Sequence, residues 1–368
     1  MKTYKKLVAG ALLASALVSQ AVAQEAVKLG VIFPTRTIIG EQAVHGAELA
    51  AKQINDAGGI LDGRMVELIV YDSNFSAVDG VSAAQRLLTQ DGVKYILGEI
   101  SSTVAFAVIP VVESEEALAM LAMPKHPDVT NSGYENVFRL NSTSQIDAAS
   151  FGKYLTETVK PEKVAVLVQN DDIGLTSLEQ MKQLFGEKVV FSDIFDVKQA
   201  DFSALATNVR ASGADLVCVT AANPEQSGGV FRSMADVGYS PKRCLLPGYL
   251  NNDLPDVAGA AAEGVFSQDV YIDTIDSELN NTFVKEYLAA QGKVPGKPEV
   301  LGFETVWIVA KAIDAAGSYD DVSKVAKVIR DTQWESPRGK LRFNEIGQAL
   351  TEKLYNTVVK DGRVVRAD

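Results

Sequence analysis

Histidine and cysteine are scarce in this chain of 368 residues, with two of each. Two His leave little material for a His-rich metal site, and two Cys cannot build a disulfide framework. Basic charge is also short, with 35 Lys and Arg against 47 Asp and Glu and a net charge of −12. So acidic a surface repels phosphate backbones, which argues against nucleic acid as a partner. Glycine (28) and proline (12) are not in excess, and no Pro/Gly/Ser-rich or low-complexity stretch divides the chain. Collagen-like and extensively disordered classes are therefore excluded. No apolar run of membrane length follows the amino terminus, which excludes a multi-span membrane protein. What is present is 47% apolar and 22% charged, with enough length for a large core and two domains.

The amino terminus has its own pattern. Lys2, Lys5 and Lys6 precede an apolar stretch from Leu7 to Val18, and Ala21-Val22-Ala23 leads into Gln24. A basic start, a short apolar core and small residues before a cut predict a signal peptide over 1–23 and an exported, periplasmic chain. The alternative, an anchoring helix, needs a longer apolar run. Cys218 and Cys244 would then meet an oxidising compartment. Each lies in an apolar segment that reads as a buried strand, so two buried thiols are expected. A bridge between parallel neighbours demands unusual geometry.

Strand and helix patterns alternate along the rest of the chain. VKLGVIF (27–33), MVELIVYD (65–72), KYILGE (94–99) and ALAMLAM (117–123) read as strands, with helical spacing at 41–57, 76–90 and 102–116 between them. A second series follows Phe138-Arg139-Leu140. Its strands are KVAVLVQN (163–170), VVFSDIF (189–195), ADLVCVTA (214–221), RCLLPG (243–248) and GVFSQDVYI (264–272). Three consecutive helices (278–291, 300–316, 321–331) come next. KLRFNE (340–345) is then a short strand, and Asp361-Gly362 turns a last hairpin. Such alternation implies an α/β fold with two doubly wound parallel-sheet lobes. Ligands of such sheets bind outside the carboxyl ends of the strands, where helix N-termini present unpaired N–H groups.

Signs of catalysis are few. There is no G-x-S-x-G, no G-x-x-x-x-G-K-[ST], and no G-x-G-x-x-G after a strand; Gly58, Gly59 and Gly63 sit between a helix and a strand, the reverse of a dinucleotide loop. His45 and His126 have no Cys or carboxylate at metal-ligand spacing. Asp171-Asp172 could be a paired carboxylate, but a position after a strand and before Gly174 suits a helix cap better.

The string GAELAAKQINDAGGILDGRMVELIVYD (46–72) resembles the opening of branched-chain amino acid type substrate-binding proteins of ABC importers. GEISST (98–103), VFRLNSTSQIDA (137–148), DFSAL (201–205), LVCVTAANPEQSGGVFRSMADVGY (216–239) and LGFETVWIVAKAI (301–313) continue the resemblance in order. It implies the type I periplasmic binding protein fold, with lobes at 26–141 plus 274–345 and 142–273 plus 346–368. Three hinge crossings are expected near Asn141, Asp273 and Glu345.

The resemblance also implies a ligand between the lobes, with Ser102 on its α-carboxylate. Ser101, Ser102 and Thr103 follow a strand and open a helix, so hydroxyls and free amides converge there; the same donors can serve simply as a cap. Elsewhere the chain departs from the family. Pro124-Lys125-His126-Pro127 stands where an A-x-T-x-P loop is usual. Ile173 replaces an aromatic residue, and the positions at Ala222-Asn223 and Gly248-Tyr249 lack the expected Tyr and acid. The family's disulfide positions hold Phe75 and Ser101. Three partners for an ammonium are thus missing or moved, which points away from a leucine-like amino acid. Lys125, with Arg36 and His126, suits an added anionic group or a plain organic acid. Phe303 falls at a cleft-facing aromatic position, and Tyr249 could stack on a flat ligand.

The expected ligand set is therefore Ser101, Ser102, Thr103, Lys125, His126, Arg36, Asp172, Asn223, Tyr249 and Phe303. The expected function is capture of a small carboxylate-bearing ligand, an amino acid or a related organic or aromatic acid, and its delivery to an ABC permease. The protein is expected to act as a monomer without cofactor, metal or catalysis. The alternatives are a ligand-sensing component of the same fold, and a secreted hydrolase or isomerase using Asp172, His126 or Lys125.

Overall fold

A computed structural model describes residues 25–221, 223–351 and 353–367, so the 1–23 segment lies outside the described residues. The first lobe runs β1 (Val27–Phe33), α1 (Ile38–Asp56), β2 (Val66–Asp72), α2 (Ala77–Thr89), β3 (Tyr95–Gly98), α3 (Ser102–Ser114), β4 (Leu118–Leu121) and β5 (Val137–Arg139). The second runs α4 (Ser144–Tyr154), β6 (Val164–Gln169), α5 (Asp172–Phe185), β7 (Val189–Phe195), α6 (Ser203–Ser212), β8 (Leu216–Thr220), α7 (Pro224–Asp236), β9 (Lys242–Leu245), α8 (Leu254–Ala258) and β10 (Phe266–Asp269). The chain then adds α9 (Glu278–Gln291), α10 (Lys297–Ala316), α11 (Val322–Asp331), β11 (Trp334–Ser336), β12 (Gly339–Phe343) and β13 (Ala349–Thr351). It ends in β14 (Tyr355–Lys360) and β15 (Arg363–Arg366).

The first sheet has the order β2-β1-β3-β4-β5, all parallel. Side-chain alternation sends Val27, Leu29, Val31 and Phe33 to a core shared with α1 and α10, whereas Ile32 packs with α2 and α3 on the other face. The second sheet has the order β15-β14-β10-β9-β8-β6-β7, and among its described strands β14 alone runs against the others, pairing antiparallel with both β10 and β15. Val164, Val166 and Val168 face α4 and α5, whereas Ala165 and Leu167 face α6, α7 and α8. The last hairpin turns through Asp361 (φ 52°) and Gly362 (φ 71°), two positive φ values of the kind a type I′ turn requires.

Helix α10 brings a late part of the chain back to the first lobe. It is buried on nearly every side, which suits its apolar composition. Glycines set how closely it meets α1. A Cβ on Gly46 would lie 1.9 Å from the Glu299 carbonyl oxygen, and one on Gly302 would lie 2.0 Å from that of Ala43. The two helices therefore touch backbone to backbone. Glu304 on α10 is fully buried and forms an ion pair with Arg338 at 2.5 Å, and Arg338 also donates to the Leu140 carbonyl at 3.2 Å.

Two expectations shift here. The strand expected over 264–272 stops at Asp269, because Val270 and Tyr271 leave the sheet for the first lobe's core. Residues 349–351, expected to lie past the third crossing, do not join the second sheet. Strand β13 pairs with β12, and Ala349 packs into the first lobe's core beside Phe343. Gln348 also accepts from the buried Arg139 and donates to the Asn141 carbonyl. Cys218 and Cys244 are directly paired residues of β8 and β9, both buried free thiols, and burial pushes the Cys244 thiol up.

Candidate functional site

The first lobe's part of the site begins where β3 ends. Glu99 takes a positive φ of 63° and curls its carboxylate back, so that one oxygen accepts from the Ile100 and Ser101 amides at 2.9 Å. Burial pushes the Glu99 carboxyl up, against the pull of those two bonds. Ser101 caps α3, its hydroxyl accepting from the Val104 amide at 3.4 Å. The Ser102 hydroxyl accepts from both the Lys125 amide (3.1 Å) and the His126 amide (3.2 Å). Both of its acceptor positions are then used, and its own proton is left to donate. The Ser102 and Thr103 amides of the opening helical turn have no acceptor within the helix. The 101–103 cluster thus presents donors, and a carboxylate is the acceptor it fits best.

Lys125 links this cluster to the second lobe. Its amide lies on Ser102, and its ammonium reaches Asp147 at 2.5 Å and the Pro247 carbonyl at 2.6 Å. The same ammonium lies 5.6 Å from the centre of the Tyr249 ring. The other oxygen of Asp147 accepts from the Ser142 hydroxyl at 2.5 Å. Burial raises the Tyr249 phenol, helped by the charges of Asp171 and Asp147.

A second lysine behaves in the same way. Lys297, the first residue of α10, donates to the Gly248 carbonyl and lies 3.7 Å from Asp269. Burial lowers the Lys297 ammonium and raises the Asp269 carboxyl, with the attraction between the two opposing each shift. Gly248 has φ +83°, and a Cβ there would come within 2.4 Å of the Lys297 nitrogen and 2.8 Å of the Lys125 nitrogen. Only a glycine leaves room for two ammonium groups at this turn. Further along, Gln42 donates to Asp253 at 3.1 Å, and Asn252 donates to the Pro295 carbonyl at 3.4 Å. The 247–253 loop therefore carries contacts from the second lobe to the first.

Beside Lys125 lies a chamber of about 310 Å³ between α4 and α5. Phe151, Leu155, Ile173, Met181, Leu184 and Leu246 form its apolar wall, and Asp147, Ser144 and Tyr249 stand with Lys125 on its lining. The Lys125 side chain thus spans the gap from Ser102 to the chamber.

The expected residues divide. Ser101, Ser102, Thr103, Lys125 and Tyr249 line this region. Asp172 opens α5 beside its cap Asp171, whose carboxylate accepts from the Gly174 amide at 2.7 Å; the Asp172 side chain is outside the described set. Asn223 caps α7, accepting from the Gln226 amide at 2.9 Å. Three side chains are committed elsewhere. Arg36 is 82% exposed and pairs with Asp72 at 3.3 Å. The His126 ring caps its own turn through the Asp128 amide and meets Phe106 edge-on. Phe303 is fully buried between Phe283 and Trp307, so it faces the first lobe's core and not the cleft. Sequence reasoning missed Asp147, Lys297 and Asp269. The only signal for Asp147 was an acid in the first turn of the helix after the crossing.

A sequence profile described as periplasmic binding protein matches residues 26–363. The chain belongs to the periplasmic binding protein family. It is 26% identical over 336 residues to the leucine-, isoleucine-, valine-, threonine-, and alanine-binding protein of Pseudomonas aeruginosa, covering 89% of this chain and 88% of that one. It is 28% identical over 353 residues to Leu/Ile/Val-binding protein homolog 1 of Brucella abortus, covering 93% of each. Among solved structures, it is similar to the Streptococcus pneumoniae branched-chain amino acid transporter substrate-binding protein in complex with isoleucine (TM-score 0.84, 19% identity, 93% of this chain and 100% of that one). It is also similar to an R. palustris ABC transporter solute-binding protein in complex with benzoate (TM-score 0.83, 18% identity, 93% and 95%). At those identities the structural likeness is one of fold. As a periplasmic binding protein the chain is a solute-binding protein and not an enzyme. Among the described residues no helix is long and apolar enough to cross a membrane.

Proposed function

We propose that this periplasmic binding protein is exported by its first 23 residues, captures a small carboxylic acid between its lobes and delivers it to an ABC permease. The moving bodies would be 26–141 with 274–351 and 142–273 with 353–367, flexing at the three crossings. The observation that carries the ligand class is the Ser102 hydroxyl, which accepts from two backbone amides and so keeps its own proton for donation. The neighbouring chamber, about 310 Å³ and walled by Phe151, Met181 and Leu246, suits an apolar or aromatic body attached to that carboxylate. Relatives named for aliphatic amino acids and a fold neighbour holding benzoate bracket the size range.

A thermal-shift screen over aliphatic, aromatic, keto and amino acids tests this reading. A ligand at 100 times its dissociation constant adds about 2.7 kcal/mol of stability. Ser102→Ala removes a hydrogen bond to a charged group, about 1.5–3 kcal/mol, so the affinity for the acid that binds should fall roughly ten- to hundredfold. Equal affinity in native protein and variant, measured by calorimetry, would remove Ser102 from the site.

A further inference from the structure

Resting on the proposed carboxylate site, we infer that the cation-accepting cage of the second lobe is filled by the chain's own Lys125 ammonium, and that the ligand is a carboxylic acid without an α-amino group. An ammonium group needs acceptors for its N–H bonds and tolerates an aromatic face. Asp147 at 2.5 Å, the Pro247 carbonyl at 2.6 Å and the Tyr249 ring at 5.6 Å supply these elements together. The Lys125 and Asp147 side chains are only 12% and 6% exposed, so the pair is shielded from water. A ligand ammonium could enter only by displacing Lys125, whose charge would then lack its buried partner.

The adjoining acceptors are taken as well. The next carbonyl of the same loop, Gly248, holds Lys297, which also faces Asp269. Asp171 is committed to the first turn of α5. A second ammonium in this space would stand beside two existing ones, and like charges at such range repel strongly where water is scarce. A carboxylate without an amine meets the opposite situation, with the Ser102 proton on one side and two cations nearby.

The test uses two pairs of compounds that differ only in the amine: 4-methylpentanoate with leucine, and 3-phenylpropanoate with phenylalanine. Calorimetry on the native protein should show at least one acid bound a hundredfold or more tighter than its amino counterpart. Lys125→Met empties the cage while keeping the length of the side chain. That variant should gain tenfold or more for leucine or phenylalanine and narrow or reverse the preference. Lys125→Arg keeps the charge and should keep the preference for the acid. Should Lys125→Met fold poorly because Asp147 is left unpaired, the double variant Lys125→Met with Asp147→Asn serves as a stable frame. In it the native discrimination against the amine should be lost. Native protein binding leucine or phenylalanine as well as the matching acid would overturn the inference. A failure of the carboxylate reading looks different: neither acid binds the native protein. In that event the inference is decided by 3-phenylpropylamine, which should bind Lys125→Met but not the native protein; no gain would sink it.

Discussion

Replacing Arg338 by Met should unsettle the first lobe more than any surface change. Arg338 donates through its Nε to both Glu304 oxygens at 2.9 Å and through its terminal nitrogen at 2.5 Å, and the two side chains are 1% and 0% exposed. It also binds the Leu140 carbonyl, one residue before the first crossing. Methionine fills much of the space but leaves the Glu304 carboxylate buried without a counter-charge. Breaking such a pair from one side costs about 3–5 kcal/mol. For a lobe of this size each kcal/mol moves the melting temperature by about 2–4 °C, so a fall of roughly 10 °C is expected. Thermal unfolding followed by circular dichroism measures the temperature, and urea unfolding the free energy. Pairing Arg338→Met with Glu304→Leu should recover more than half of the loss, because an apolar pair needs no compensation. A single variant within about 1 kcal/mol of the native protein, where surface changes usually lie, would refute the assignment of this pair as a buried staple.

Two further substitutions probe the same lobe. Burial pushes the Glu299 carboxyl up from its ordinary 4.5 to about 7. The neutral form is the one the folded state favours, so its contribution is complete below about pH 4.5 and is lost as pH rises through about 7. The shift corresponds to something on the order of 3 kcal/mol, and Glu299→Gln should therefore gain stability over the native protein at pH 8 but not at pH 4.5, as read by denaturant midpoints at both values. Gly302→Ala would drive a methyl into the Ala43 carbonyl, and overpacking of this kind costs about 1–3 kcal/mol or more; a melting temperature unchanged by the substitution would mean that α1 and α10 can separate.

The alternation of apolar runs with 3.6-residue periodicity was enough to foresee both sheets, because parallel strands covered on two faces are apolar along their whole length. The pair Asp361-Gly362 marked its turn for an equally local reason. The third crossing was less legible. The short β13 (ALT) carries no strong strand signal, and only its pairing with β12 shows which lobe it joins. Phe303 was misplaced because one helix position further or nearer decides between cleft and core, and nothing local reports it. Ser101, Ser102 and Thr103 could be read from a strand-to-helix junction. Lys297 and Asp269 could not, since each becomes meaningful only when the turn at Gly248 brings the two lobes together. Long-range juxtaposition of charges has no periodicity to betray it.

The interlock of α1 with α10 has a bearing on biogenesis. When a nascent chain has reached residue 290 or so, all five strands of the first sheet exist, yet of the two helices that share one of their faces only α1 has been made, and α10 has not. The amino-terminal body cannot complete itself alone and must wait for a segment some 250 residues downstream of α1, a wait that loop-closure entropy makes slow. A chain exported as proposed above would gain from such tardiness, because its amino-terminal body cannot lock before α10 has been made.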